Sequence, residues 1–153
     1  MRDNFNVCII GKKIKLVPYQ KKFVEIYNQW MKDPYLLQMT GSEPLSIEEE
    51  YDMQRSWQDD SDKCTFIILI NNEYKLEINN NHINNHISHH SNNTNDKIDL
   101  VVSNNDMIDE EISLMIGDVN LFLNDRDDKS IAELEIMIAN DKYRNYGLGL
   151  LDI

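Results

Sequence analysis

The chain has 153 residues, with 15 Lys and Arg against 27 Asp and Glu, and a formal charge of -12. This length fits one domain with a hydrophobic core of its own. So acidic a chain argues against electrostatic binding to nucleic acid or to an anionic membrane and favours a cationic partner, such as a protein amine. No apolar stretch is long enough to cross a bilayer, and the first residues lack a signal peptide. Two cysteines without paired spacing indicate a reducing compartment, so we expect a cytoplasmic protein.

Hydrophobic patterning predicts one strand and two helices in the first part of the chain. Residues 14–18 alternate between apolar and polar types, as a short strand does. Apolar residues at helical spacing over 23–30 predict an amphipathic helix that ends before Pro34. Ser46 and Glu49 are three residues apart and form the capping box of a second helix.

Three further strands are predicted. Residues 64–70 are apolar enough to form a strand that is buried on both faces. Residues 113–123 and 132–139 are also strand-like, and the charged, Asn- and Asp-rich segment 124–128 between them has the composition of a turn. The last two strands are therefore expected to form a hairpin.

Residues 71–110 differ in composition from the rest of the chain. They contain runs of asparagine and have little to bury, so they predict a disordered, low-complexity insertion between two strands. Such an insertion costs little, because closure entropy grows slowly with loop length. All four histidines lie here: His82, His86, His89 and His90. A biased polar tract explains them better than a metal site, since no carboxylate partner is evident.

A glycine-bearing loop follows the last predicted strand. It reads Arg144-Asn145-Tyr146-Gly147-Leu148-Gly149, and Leu150 and Leu151 would begin a helix after it. Loop amides at a helix N-terminus form an anion site, and glycines let a backbone approach a ligand closely. The same residues are equally consistent with an ordinary strand-to-helix turn that uses glycine for its geometry.

The spacing of this loop resembles the acetyl-coenzyme A loop of the GNAT superfamily of N-acetyltransferases, which also follows the fourth strand. Further segments resemble N-acetyltransferase 9-like proteins in particular, and they occur in the matching order: 11–19, 42–46, 50–57, 62–67 and 117–123. The resemblance covers nearly the whole chain except the 71–110 insertion.

The resemblance implies a mixed α/β fold with a central, mostly antiparallel sheet and flanking helices. It also implies acetyl-CoA as co-substrate, bound between two strands that splay apart. Met137, Ile138 and Ala139 would then lie at the pantetheine arm, and the amides of residues 144–149 at the pyrophosphate. The implied reaction is direct transfer of acetyl to the amine of a protein or peptide.

An amine must lose its proton before it attacks, so the reaction needs a carboxylate or a water held by one. Glu133 and Glu135 share one face of the last strand, and Glu135 is the preferred base because it is closer to the thioester end. The alternative is that both are solvated residues on an exposed face. Asp118 and Asn120 are weaker candidates for lining the amine site. Trp57 is expected to anchor the core, because it lies on an amphipathic stripe.

The GNAT fold continues beyond this loop, so residues 1–153 are expected to be the N-terminal part of one such domain, an incomplete form of the enzyme. Two alternatives remain open: a non-catalytic interaction module, and a decayed fragment of an acetyltransferase. A metal-binding protein built on the histidine tract ranks last.

We therefore expect residues 1–153 alone not to turn over acetyl-CoA, because the strand that forms the other wall of the cofactor cleft is missing from them. Isothermal titration with acetyl-CoA, followed by an acetylation assay on the same material, measures this. Tight binding together with turnover would contradict the expectation.

Overall fold

The computed structural model describes residues 4–87, 110–124, 128 and 130–148, with residues 80–87 described by their backbone only. Its centre is a five-stranded antiparallel sheet whose strands follow one another in chain order. The strands are β1 (Ile9–Ile10), β2 (Ile14–Pro18), β3 (Lys63–Ile70), β4 (Met115–Phe122) and β5 (Glu133–Ile138). With the helices that pack on it, this sheet gives the mixed α/β fold expected from the sequence, and the hairpin of β4 and β5 is confirmed.

Five helices accompany the sheet in the described part of the chain. They are α1 (Val24–Trp30), α2 (Pro34–Thr40), α3 (Ile47–Asp59), α4 (Asn72–Ile87) and α5 (Glu110–Ser113). Two short 3-10 turns, Lys21–Phe23 and Asp141–Tyr143, precede α1 and follow β5. None of the described helices combines the length and the apolar character that crossing a membrane requires.

Helix α3 begins as the sequence predicts. The Ser46 hydroxyl accepts a hydrogen bond from the Glu49 amide at 3.3 Å, and the Glu49 carboxylate accepts one from the Ser46 amide at 2.8 Å. The reciprocal pair satisfies two amides that the helix cannot bond itself.

Helix α2 was not predicted, because Pro34 was interpreted only as the end of the helix before it. Proline suits the first position of a helix, where its missing N–H group is not needed. Asp33 caps the new helix by accepting a hydrogen bond from the Tyr35 amide at 2.9 Å. The helix ends at Gly41, whose φ of 62° is the left-handed conformation typical of a C-terminal cap.

Helix α4 occupies the start of the segment for which the sequence predicts a disordered insertion. The structure differs there because Tyr74 and Ile78, four residues apart, face the same side of a helix and pack against the core. Composition alone did not reveal this pair among the asparagines. Residues 88–109 of the same segment lie outside the described residues.

The histidine tract falls mostly outside the description. His82 and His86 lie in α4, where only the backbone is described, and His89 and His90 lie outside the described residues. Within the described part, no group of three or more His, Cys, Asp or Glu side chains is arranged to hold a metal ion.

Strand β3 is buried along its whole length, as predicted. One face of the sheet packs against α1 and α3 through a cluster that includes Val17, Ile67, Leu69 and Met115 together with Phe23 and Tyr27. The opposite face packs against α4 and the loop after β5 through a second cluster that includes Leu16, Ile68, Ile116, Ile78 and Leu148. The sheet is therefore the shared wall of two cores.

Strand β4 is irregular at Gly117. Ile68 pairs with Gly117 but Leu69 pairs with Met115, which leaves Ile116 as an extra residue, as in a β-bulge. A Cβ atom at Gly117 would overlap the carbonyl oxygen of Met137 and lie 2.9 Å from its carbonyl carbon. Glycine is needed here so that β5 can approach β4 closely.

Replacement of Gly117 by alanine is expected to lower the free energy of unfolding by about 1–3 kcal/mol, the usual cost of overpacking. Urea denaturation measures the loss. The matched control is Gly41→Asn, where added atoms meet open space and asparagine is among the residues that best tolerate the left-handed backbone, so the loss stays below about 1 kcal/mol. Equal effects at the two positions would contradict the close approach of β4 and β5.

Candidate functional site

A cavity of about 480 Å³ lies between the helices and the β3–β5 part of the sheet. Helices α1, α2 and α3 contribute Tyr27, Met39 and Trp57 to its walls. The polar side chains that line it are Thr40, Ser42, Lys63, Asp118, Asn120 and Glu135. Its charged side chains are the Lys63 amine and the carboxyls of Asp118 and Glu135, and the Glu135 carboxylate at the exposed rim suits a cationic ligand.

Asp118 lies at the floor of this cavity and is only 1% exposed. Its Oδ2 accepts hydrogen bonds from the Asn120 amide at 2.6 Å and from the Tyr27 hydroxyl at 3.3 Å. Its Oδ1 has no hydrogen-bond partner, and among the described residues it is the one buried side-chain oxygen or nitrogen in that condition. Burial raises the pKa of the Asp118 carboxyl to about 7, against the opposing effect of its hydrogen bonds and of Lys63.

Lys63 is the cation of the cavity and is buried at the start of β3. Its Nζ lies 3.0 Å from the ring centroid of Trp57 and 4.5 Å from that of Phe122, so two aromatic faces stabilise the charge. Burial nevertheless lowers the pKa of its amine to about 8.

A buried polar network lies behind the cavity, between α1, α3 and the sheet. The Tyr19 hydroxyl donates to Glu50 at 3.5 Å, and the Asn28 amide donates to the same carboxylate at 3.4 Å. The rings of Tyr19 and Tyr27 are 5.0 Å apart, which joins this group to Asp118. Burial raises the pKa of the Glu50 carboxyl, and burial together with nearby carboxylates raises the pKa of both tyrosines.

Glu135, the preferred base in the sequence analysis, lines the cavity from β5 and is exposed at its rim. It pairs across the sheet with Asn120. Glu133 is also exposed but is not a cavity residue; it pairs with Phe122, and its carboxylate accepts a hydrogen bond from Asn124 at 2.9 Å. The structure brings Glu135 together with Asp118 and leaves Glu133 outside.

The end of β5, for which the sequence predicts contact with pantetheine, adjoins the cavity through Met137. The carbonyl oxygens of Ile138 and Ala139 accept hydrogen bonds from the Arg144 side chain, each at 2.9 Å. The Arg144 guanidinium also lies over the Tyr35 ring, 5.1 Å from its centroid. In this structure Arg144 thus ties the loop to the end of β5, rather than presenting a free charge to an anion.

Two positions in the described part of the loop, residues 144–148, are left-handed. Asn145 has a φ of 68° and Gly147 a φ of 70°, and apart from the chain neighbours of Gly147 no atom of the described residues lies within 4 Å of where its Cβ would be. Left-handed residues occur both in ordinary turns and in anion-binding concavities. Leu148 is buried in the core, and Tyr146 packs against the same cluster. Gly149 and the helix predicted at Leu150 and Leu151 lie outside the described residues.

The chain is similar to curated proteins of one kind from several organisms. It is 43% identical over 148 residues to the N-acetyltransferase 9-like protein of Dictyostelium discoideum and 41% identical over 149 residues to that of Nematostella vectensis. It is 39% identical over 150 residues to the alpha/beta-tubulin-N-acetyltransferase 9 of Homo sapiens.

The chain belongs to the N-acetyltransferase 9-like family. Each of the three alignments covers 97% of this chain but only 58–60% of the relative, so the chain spans about three fifths of the length of these proteins. No protein-family model matches it.

Sequence reasoning missed part of the site in this N-acetyltransferase 9-like chain. Lys63 and Tyr27 were not singled out, and Trp57 was assigned to the core, although it also lines the cavity. One sequence signal does point to the site. Asp118 and Asn120 interrupt a strand that is otherwise apolar, and polar side chains are rarely buried unless they form hydrogen bonds or have a function. The cavity residues on α2, Met39 and Thr40, could not be identified because that helix was not predicted.

The raised pKa of Asp118 predicts how stability depends on pH. A carboxyl whose pKa is higher folded than unfolded binds more protons in the folded state, so its contribution to stability is lost as pH rises from about 4 to about 7. The difference in unfolding free energy between wild type and Asp118→Asn should therefore change by a few kcal/mol over that window, with the variant gaining as pH rises. Urea denaturation at several pH values measures it. A constant difference between the two proteins would contradict a raised pKa of the buried Asp118 carboxyl.

Proposed function

We propose that the protein carries out acetyl transfer from acetyl-CoA to the amine of a protein or peptide, by direct attack of the amine on the thioester. The observation that carries this proposal is the cavity with two carboxylates, Asp118 and Glu135, beside the end of β5. The names of the relatives support it. Because the chain spans about three fifths of those relatives, the activity concerns the whole protein.

We also propose that residues 1–153 belong to one acetyltransferase domain in which 71–110 is an insertion. The single continuous sheet supports this, since β3 and β4 pair directly although that segment separates them in the chain. The insertion begins with α4, which packs on the sheet face opposite the cavity.

Acetyl-CoA would lie along the outer edge of β5, with its pantetheine arm at Met137, Ile138 and Ala139. Its pyrophosphate would meet the amides of residues 144–149. The left-handed backbone at Asn145 and Gly147 supports this, because it suits an anion-binding loop. The bonds from Arg144 to the end of β5 hold that loop against the strand. The thioester would then lie next to the cavity.

The acceptor amine would bind in the cavity. An ammonium group attracted by the carboxylates must lose a proton before its nitrogen can attack. Glu135 at the rim is placed to attract the cation, and it is the base expected from the sequence. Met31 and Met39 in the walls give the apolar part of a side chain a surface to pack against.

We propose a protein rather than a small molecule as the acceptor. The human relative is named for alpha- and beta-tubulin, which supports a protein substrate for this chain as well. The charge of -12 and the Glu135 carboxylate at the cavity rim favour an acceptor segment that carries its amine as a cation.

Glu135→Gln, made in the protein expressed from its full reading frame, is expected to lower kcat/KM about tenfold, mostly by raising KM, because a rim charge acts on attraction of the cation. Release of CoA in the presence of acetyl-CoA and a peptide amine measures it. The comparison variant is Glu133→Gln, two residues away on the same face but outside the cavity; it should change kcat/KM less than about twofold.

Equal losses in the two glutamate variants would show that the cavity is not the amine site. No CoA release by the wild-type protein with any peptide amine, despite binding of acetyl-CoA, would instead favour the non-catalytic interaction module.

A further inference from the structure

The two carboxylates of the cavity have different surroundings. Glu135 is at the exposed rim, whereas Asp118 is at the floor and is 1% exposed. A carboxylate in water is poorly basic, and one taken out of water holds a proton more readily. Its burial therefore suits Asp118 to accept a proton near neutral pH.

The hydrogen bonds of Asp118 are one-sided. Oδ2 is held by Asn120 and Tyr27, while Oδ1 has no partner in spite of its burial. A buried oxygen without a donor costs roughly 1–3 kcal/mol. Since Asp118 lines the cavity, a donor brought in by a ligand would satisfy that oxygen, and an ammonium group carries three such donors.

Hydrogen bonds within the sheet fix the orientation of the Asp118 carboxylate. The Thr65 hydroxyl donates to the Asn120 side-chain carbonyl at 2.7 Å. A carboxylate accepts hydrogen bonds, so the NH₂ group of Asn120 faces Asp118 and donates to Oδ2, while the Thr65 hydroxyl holds the carbonyl end of the amide. Thr65 and Asn120 are thus positioning residues, and they leave Oδ1 as the free end of the carboxylate.

The sheet register places Asp118 beside Met137, where the pantetheine arm ends under the proposed function. Asp118 pairs directly with Met137, whereas Glu135 pairs with Asn120 and Glu133 with Phe122. Successive pairs on one face are about 7 Å apart along the strand. If the pantetheine arm ends at Met137, Asp118 is the carboxylate beside the reacting atoms.

We propose that Asp118 is the catalytic base, taking the proton of the substrate ammonium on Oδ1, while Glu135 attracts the cation at the rim; this rests on the proposed function. The neutral amine then forms a bond to the acetyl carbonyl carbon, and the carbon–sulfur bond breaks. The second proton of the attacking nitrogen goes to the departing thiolate, which leaves as CoA thiol. Asp118 returns its proton to water through the cavity mouth, so the reaction releases one proton overall.

The protonation of Asp118 depends on groups from every element around it. These are Tyr19 at the end of β2, Tyr27 of α1, Lys63 of β3, Asn120 of β4 and Glu135 of β5, with Glu50 of α3 behind the tyrosines. Together they leave its pKa near neutrality, where a base can both accept and release a proton.

The test uses the protein expressed from its full reading frame and follows kcat/KM for a peptide amine from about pH 5.5 to about 8.5. Asp118→Asn is expected to lower kcat/KM at least about 100-fold and to remove the rise of activity near pH 7. Glu135→Gln should keep that rise, although its activity is lower. Asp52→Asn, an exposed residue of α3 paired with Arg55, controls for loss of one surface carboxylate and should leave the profile unchanged.

Thermal melting and titration with acetyl-CoA show whether each variant is folded and binds the co-substrate. If folded Asp118→Asn retains activity within about threefold and the same pH profile, the proposal is overturned. It is equally overturned if Glu135→Gln, and not Asp118→Asn, loses the rise near pH 7.

A second readout separates this proposal from the proposed function. The ¹³C carboxyl resonance of Asp118, assigned by comparison with Asp118→Asn, is followed while methylamine is added at neutral pH. The proposal expects the resonance to move toward the ionised position as the ammonium binds, whether or not the protein turns over acetyl-CoA. Absence of turnover in the wild type counts against the proposed function, and a resonance that does not respond to methylamine counts against Asp118 as the amine's partner.

Discussion

The burial of β3 on both faces is the constraint on which the rest of the structure depends. Its eight residues are all buried, and it pairs with β2 on one side and β4 on the other. One face carries Ile67 and Leu69 toward α1 and α3, and the other carries Ile68 and Ile70 toward α4. Strand β3 connects α3, which packs on one face of the sheet, to α4, which packs on the other. Both layers of helices therefore pack against the same strand.

The cavity is a consequence of this arrangement. The apolar packing on the α1 and α3 side ends where polar residues replace hydrophobic ones: Thr65 on β3, then Asp118 and Asn120 on β4. All three are buried, and Asn120 is hydrogen-bonded to both Thr65 and Asp118, so the sheet stays continuous where its surface changes from apolar core to polar cavity. Gly117 next to Asp118 lets β5 come close, which carries Glu135 and Met137 to the same place.

Much of the fold was predictable from the sequence, because its signals are local. The apolar run of β3, the Ser46–Glu49 capping box and the last two strands need only neighbouring residues to be recognised. Helix α2 was missed because a proline can either follow the end of one helix or occupy the first position of the next, and the sequence does not show which applies to Pro34. The start of α4 was missed because Tyr74 and Ile78 pack against residues that are distant in the sequence. For the site, period two placed Glu133 and Glu135 on one face, but only the register with β4 shows that they stand opposite Phe122 and Asn120. The orphan Oδ1 of Asp118 depends on the three-dimensional hydrogen bonds and has no sequence signal.

The central claim is that an amine enters the cavity and meets acetyl-CoA at the end of β5, beside Asp118. A crystal structure of the protein, expressed from its full reading frame, with a peptide joined through its amine to CoA tests this most directly. The account predicts that the bridging nitrogen lies about 3 Å from Asp118 Oδ1 and that the pantetheine arm runs along Met137, Ile138 and Ala139. A conjugate whose nitrogen lies outside the cavity, with Asp118 still without a partner, would contradict it.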